Sequence, residues 1–512
     1  GTVSGAMSAI VTAINRVNGI YERDLGIRLN IVANNDKLIF INSATDPYTN
    51  NDAAAMLGQS HAIITDSIGT ANFDVGHIFS TFNGGIANIN AVCRTNSKGR
   101  GVTGHPSPIG DPFYVDFLSH ELGHQFGANH SFNGNEMNCN AHRHANQAYE
   151  PGSGSTIMAY AGICGSQNLQ TNSDDYFHTA SFDEIMLYTT TNFGSTCANP
   201  IPTGNTAPNV DAGENAFTIP KSTPFKLTGA ATDLEGDTLT YCWEQFDLGP
   251  AGHPNSPVGD APSFRSFPPT ENPTRYFPKL ENLATGNQVL GETLPDYDRS
   301  LTFRLTVRDN HAGSGGVAYD QITFNVTDQA GPFVVTSPAT PITWTVGTTQ
   351  TVTWDVANTD LSPVSCALVN IILSTDGGLS YTDTLAINTA NDGSETITVP
   401  NIFTIEARIM VEAADNAFFS ISGVDFNINT VAAPMDFTMQ IDTIYNTPCA
   451  GANGVFEINM AMQSGVADPV SLSASGLPMG MNANFSNNLV TPPATVTLEL
   501  TTNGVDLSLI HI

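Results

Sequence analysis

Residues 120–130 read His-Glu-Leu-Gly-His-Gln-Phe-Gly-Ala-Asn-His, and no other stretch constrains the chain so tightly. Positions four apart on an α-helix differ by about 40° around the axis and roughly 6 Å along it. His120 and His124 therefore share a face and can point at one metal ion, and imidazole bonds of about 2.0–2.1 Å suit zinc. Glu121 lies too far round to join them but can reach a water held at the ion. Gly127 permits a positive φ that ends the helix. The chain then turns back, and His130 supplies a third nitrogen while a fourth position stays open. Three protein ligands with an open position are the pattern of a catalytic zinc site. In a chain of this composition H-E-x-x-H arises by chance about once in a hundred sequences, and the eleven-residue pattern about once in tens of thousands. A coincidence on an ordinary amphipathic helix is the weaker reading.

The flanks predict the helix. Asp111-Pro112 reads as an N-cap side chain followed by proline at the first helical position. Phe113, Phe117, Leu118, Leu122 and Phe126 follow helical spacing and would form the buried stripe. Metal face and core face thus come from one rigid element.

Further along, Ser155-Thr156-Ile157-Met158-Ala159-Tyr160 resembles the methionine turn of the metzincins, a clan of zinc endopeptidases, with Met158 under the metal. Within that clan residues 1–200 look most like the adamalysin/reprolysin group, in its bacterial secreted branch. Residues 16–29, Arg-Val-Asn-Gly-Ile-Tyr-Glu-Arg-Asp-Leu-Gly-Ile-Arg-Leu, resemble that group's first helix running into its second strand. The resemblance implies an α+β catalytic domain, a mixed twisted sheet with helices. It implies disulfides Cys93–Cys197 and Cys139–Cys164. It also places an edge strand at residues 85–92, whose unpaired backbone would bind an extended substrate. Two departures stand out. Many reprolysins carry aspartate after the third histidine, where this chain has Ser131. The Met158-x-Tyr160 spacing resembles the astacin and serralysin branches, so Tyr160 has two readings, packing or, with less weight, a metal or transition-state contact.

The remaining histidines read as structural or surface residues: His77 in a strand and turn, His178 as structural, and His142-Arg143-His144 as surface polar residues. Asn129-His130-Ser131 fits a glycosylation sequon, but a glycan beside a zinc ligand is implausible.

The chain has 512 residues, too many for one core. Its net charge of −31, on only 13% charged residues, leaves no basic patch to neutralise phosphates and excludes a nucleic-acid partner. No run of about 20 apolar residues would span a membrane. Four of the seven cysteines fall in residues 1–200, which suggests an oxidising, extracellular compartment, whereas Cys242, Cys366 and Cys449 have no evident partners. The chain opens in an amphipathic helix (Met7, Ile10, Val11, Ile14, Val17, Ile20), although the resembling fold puts a strand before it; a secretion signal and prodomain are expected upstream. At the other end Leu507–Ile512 is the translation of CTG TCT CTT ATA CAC ATC, a common sequencing-adapter sequence, and is expected to be an artefact.

After a polar, proline-rich linker at 199–205 the chain turns rich in Thr, Val, Asn and Gly, with short alternating runs typical of immunoglobulin-like β-sandwiches. Residues 205–330 resemble polycystic-kidney-disease-type or cadherin-like modules, whose acidic turns often bind calcium; Asp233, Glu235, Asp237 and Asp309 are the candidates against a reading as solvated turn acids. A second all-β module is expected at 331–433 and a truncated third at 434–506. The expected protein is a monomeric, secreted zinc endopeptidase acting on protein or peptide substrates, with Glu121 as base. The opposing class is a surface adhesion protein on the β-modules with a degenerate metal domain.

Overall fold

The computed structural model describes residues 1–429, 436–442, 453–465, 467–477 and 479–502; Cys449 and the hexapeptide 507–512 lie outside these. Two compact units result. The first comprises Gly1–Ala339, Val352–Glu395 and Arg408–Val424, the second Thr340–Thr351, Thr396–Ala407 and Asp425–Ile512. Within the second, strand Gly454–Ser464 lies between Asp436–Asp442 and Ala494–Thr502 over a core of Ile458, Met460, Val496 and Leu498. All that follows concerns the first unit.

Helix α1 (Val3–Leu25) starts where the Thr2 hydroxyl accepts the Gly5 amide and ends at Gly26 with φ 62°. Only its C-terminal half is deeply packed. Val17, Ile20, Tyr21 and Leu25 are buried, while Met7, Ile10 and Ile14 are partly covered and Val11 is exposed. The end of segment 16–29, expected to run into a strand, forms no ladder. The Asn18 amide instead donates to Leu29 O and accepts the Leu29 amide.

After α2 (Ala53–Ile68) come β1 (Ile78–Ser80), β2 (Gly84–Ala87) and β3 (Gly101–Gly104), in the order β1-β3-β2. Strand β1 runs parallel to β3 and β2 antiparallel to it, so β2 is an edge. The helix of the histidine motif is built in three pieces: α3 (Asp111–Phe113), a π-helical turn (Tyr114–Ser119) and α4 (His120–Gln125). Two expectations need correction here. The N-cap is Gly110, not Asp111, whose carboxylate is taken by Arg16 at 2.9 and 3.1 Å. The π turn also inserts one residue into the helical period. Val115 and Leu118 are therefore buried, and Phe117 is only half-buried, near His105. The Tyr21 hydroxyl crosses from α1 to donate to Ser119 O at 2.9 Å, and its ring meets Phe126 and Phe177 edge-on.

Helices α5 (Asn138–His142) and α6 (Thr179–Thr190) follow. Cys93 is joined to Cys197 and Cys139 to Cys164, whereas Cys242 and Cys366 are free and buried. No described helix is long and apolar enough to cross a membrane.

Eight strands occupy 209–327: β4 (Asn209–Asp211), β5 (Thr218–Pro220), β6 (Phe225–Thr228), β7 (Ala230–Thr232), β8 (Thr240–Gln245), β9 (Thr274–Phe277), β10 (Arg299–Arg308) and β11 (Val317–Thr327). The main sheet has the order β5-β11-β10-β8, with β4-β7 and β6-β9 as separate pairs. On β10 Leu301, Phe303, Leu305 and Val307 are fully buried. The alternate face is polar, yet Arg304, Thr306 and Arg308 are buried too, because it packs on the N-terminal region. Arg308 reaches Asp24 at 3.0 Å and Phe177 O at 3.0 Å, and Arg304 reaches Asp183 at 2.6 Å. From β8 the Glu244 carboxylate accepts the Thr179 amide at the start of α6, where a helix dipole favours negative charge. The linker at 199–205 thus joins two parts of one packed unit.

The proposed calcium acids do not converge. Asp309 is buried and accepts the His311 and Gly316 amides, Asp237 pairs with His311, Asp233 accepts the Asp237 amide, and Glu235 accepts from Thr206. Apart from Asp233 Oδ2, which has no partner among the described residues, the acids turn to separate protein donors, and calcium binding is not supported.

Burial works to raise the Asp24 carboxyl, but Arg308 and Arg23 outweigh it and hold the acid below its usual range. Arg308→Met should destabilise the unit by about 3 kcal/mol at pH 7. A depressed native pKa contributes stability above the unfolded value of about 4 and loses it as pH falls further. The difference between variant and wild type in urea denaturation should therefore shrink on acidification; equal stability at pH 7 would refute it.

Candidate metal centre

Among the described residues, His120, His124 and His130 form the group that could hold a metal ion, their ligand atoms all within 4.8 Å of one another. What aims them is a shared device. His120 Nδ1 lies 2.7 Å from Ile157 O, His124 Nδ1 2.7 Å from Ala128 O, and His130 Nδ1 2.7 Å from His142 O. A carbonyl only accepts, so each Nδ1 must carry the proton, and each Nε2 is left as a lone-pair donor. His124 Nε2 and His130 Nε2 face each other at 3.1 Å. Two facing lone pairs repel unless a cation lies between them, and tetrahedral zinc sets such nitrogens about 3.4 Å apart. Burial pushes His120 down to about 3, helped by His124, and pushes His124 down to about 4. The rings are neutral near pH 7, the form a metal requires. The residues fit zinc.

Gly127 has φ 115°, and its turn brings the Ala128 carbonyl back onto His124. Glu121 is buried, and its Oε2 has no hydrogen-bond partner in the protein. Its carboxylate rests on edge strand β2 so closely that a Cβ at Gly85 would overlap it. Burial lifts this carboxyl up to about 8. Beyond β2, the amides of Asn90, Ala91 and Val92 bond to the last carbonyls of α4, which ties the edge segment to the motif helix.

Met158 is fully buried beneath α4, and its sulfur fills the space a Cβ at Gly123 would need. Tyr160 packs its ring edge-on to His130 at 4.5 Å and stacks on Phe132 at 4.7 Å. Burial, with the Glu121 charge, raises its hydroxyl above the ordinary range. His77 lies half-buried between Gln125 and Thr103, and desolvation of its ring lowers it to about 4.

Several contributors escaped the sequence reading. Glu150, fully buried, accepts from the Ser131 hydroxyl at 2.5 Å, the Thr156 hydroxyl at 2.6 Å and the Ser155 amide at 2.8 Å. It clamps the segment after the third histidine to the methionine turn, and it brings to Ser131 a carboxylate that position lacks. Glu184 on α6 accepts both the backbone and side-chain amides of Asn129, beside His130. Arg143 is not a free surface residue: it bonds Asn133 Oδ1 at 2.9 Å and Gly249 O at 2.8 Å. None of these carried a local signal; Gly123, against which Met158 packs, did, as a glycine inside a helix where alanine is otherwise preferred.

A three-imidazole site with a buried carboxylate on an edge strand has a counterpart among known families. Residues 1–189 match the model of the reprolysin-like metallo-peptidases, family M12B. No curated protein matches the chain. The reprolysin-like stretch takes in the three histidines, Glu121, β2 and the methionine turn, and ends before Cys197 and the β-rich remainder. The match supports a metzincin-like catalytic domain over this stretch.

Gly→Ala in a helix interior usually stabilises by up to about 1 kcal/mol. Here overlap with Met158 should reverse the sign, and Gly123→Ala should cost about 1–3 kcal/mol. Chemical denaturation reads this directly, and a stabilised variant would show that Met158 does not press on α4.

Proposed function

We propose that the chain is a secreted zinc endopeptidase that hydrolyses peptide bonds of extracellular proteins. The observation that carries this is the convergence of three carbonyl-oriented imidazoles beside a buried glutamate on a sheet edge. His120, His124 and His130 would hold the ion, which when bound supplies a Lewis acid and a water that ionises near neutrality. Strand β2 would pair with an extended peptide and set its scissile carbonyl beside Glu121. Glu121 takes a proton from the attacking water at its carboxylate as the water oxygen joins the carbonyl carbon. It then gives that proton to the departing nitrogen as the C–N bond breaks, which leaves a carboxylate and an amine. Acting first as base requires the anion, which a nearby dication favours against the upward push of burial.

Two disulfides support an oxidising compartment outside the cell. We assign Tyr160 to packing, since its ring buttresses His130 and Phe132, and we take the protein to act as a monomer.

A casein or peptide-library assay with and without a chelator tests the reading; cleavage insensitive to chelation would overturn it. Glu121→Gln should keep zinc and lose more than about 100-fold in kcat/KM, and wild-type cleavage by this variant would remove Glu121 as base. Tyr160→Phe keeps the ring and should stay within about threefold of wild type. A far larger loss would move Tyr160 into the reaction.

A further inference from the structure

All three orienting carbonyls, of Ala128, Ile157 and His142, lie within residues 1–189, and the methionine turn touches the β-rich region through Ser155 Oγ, 3.2 Å from Ser266 O. The carbonyl that accepts from His130 belongs to His142, the last residue of α5. Arg143, next in the chain, leaves α5 and donates to Gly249 O at 2.8 Å in the loop between β8 and β9. Its Nε donates at 2.9 Å to Asn133, three residues beyond His130. Asn133, itself buried, donates to Pro250 O at 2.9 Å, and its carbonyl accepts the Gly252 amide at 3.3 Å. Both arms flanking the third histidine therefore end on one short loop, 249–252, of the β-rich region. One arm is the segment leading out of His130, and the other is the helix end whose carbonyl turns its ring. The loop has little freedom of its own, since a Cβ at Gly249 would overlap the backbone of Asp260 and Ala261.

We propose that loop 249–252, acting through Arg143 and Asn133, positions the third histidine, so that the β-rich region governs how firmly the site retains its metal. This rests on the reading of His120, His124 and His130 as zinc ligands. Arg143 and Asn133 are positioning residues: neither touches the imidazole, and each fixes the backbone that does. Outer partners of a metal-bound histidine commonly change affinity 10–100-fold, and loss of one of three ligands' supports should be read chiefly as faster release.

The test uses the full zinc-loaded chain and follows zinc release to a chromophoric chelator. Arg143→Met keeps the apolar stem and removes both donors. Gly249→Ala shifts the loop while leaving residues 1–189 untouched. Both should speed release by about tenfold or more, with the melting temperature of the zinc-free chain changed by no more than about 3 °C. Arg304→Met, which breaks the separate contact to Asp183, is the control and should stay within about twofold. Release at the wild-type rate in both loop variants would overturn the proposal, as would an equal acceleration in Arg304→Met, which would trace the effect to docking in general. A wild type that retains no zinc would sink the metal-site reading and this inference together. A zinc-loaded wild type that cleaves no peptide would sink the peptidase reading alone, because release is measured without substrate.

Discussion

Three backbone carbonyls, at Ala128, His142 and Ile157, decide what the centre of this protein can hold. Each fixes an imidazole's tautomer and plane with one bond, and without them the rings would be free to turn or to protonate elsewhere. The carbonyls come from three places: the turn that closes the motif helix, the end of α5 and the methionine turn. Much of the reprolysin-like region can be understood as a means of bringing these three loops together. Gly127 supplies the first turn, the Cys139–Cys164 disulfide and Arg143 hold the second, and Glu150 with Gly123 and Met158 sets the third. A buried carboxylate that accepts only neutral donors, as Glu150 does, is a stiff clamp, because every donor lost leaves a charge less solvated.

The second organising feature is the polar face of β10. A half-buried antiparallel strand ordinarily turns its polar side to water. Here that side carries Arg304, Thr306 and Arg308 into a buried seam against α1 and α6, where both arginines find carboxylates and Glu244 accepts from the Thr306 hydroxyl. Ion pairs of this kind add little net stability over apolar packing, but they tolerate few alternative arrangements. The seam fixes orientation as much as it fixes affinity.

What the sequence made legible was what sits close together along the chain. The ligand motif and the glycine that ends its helix are local patterns, and local spacing maps directly onto helical geometry, whereas the edge segment expected at 85–92 came through family resemblance and is strand only to Ala87. Met158 and the two disulfides came through family resemblance, which carries long-range information that spacing does not. The π turn was invisible because nothing in Tyr114–Ser119 distinguishes one extra residue per turn from ordinary helix, and it displaced Phe117 from the core. Arg143, Glu150 and Glu184 were missed for a different reason: a single charged residue shows no pattern until the fold brings its partner. The acids Asp233, Glu235, Asp237 and Asp309 kept two readings in the sequence, since an acidic turn looks alike whether its oxygens face an ion or protein donors.

The linker at 199–205 is exposed and polar, the kind of segment proteases cut most readily. In most multidomain enzymes such a cut frees the pieces. In this chain the attachment across the seam is non-covalent and lies elsewhere, in Asp24, Asp183 and the start of α6, so the peptide between the two parts is a tether and not the joint. Cutting that tether would sever the chain without touching the contacts that hold the two parts in register.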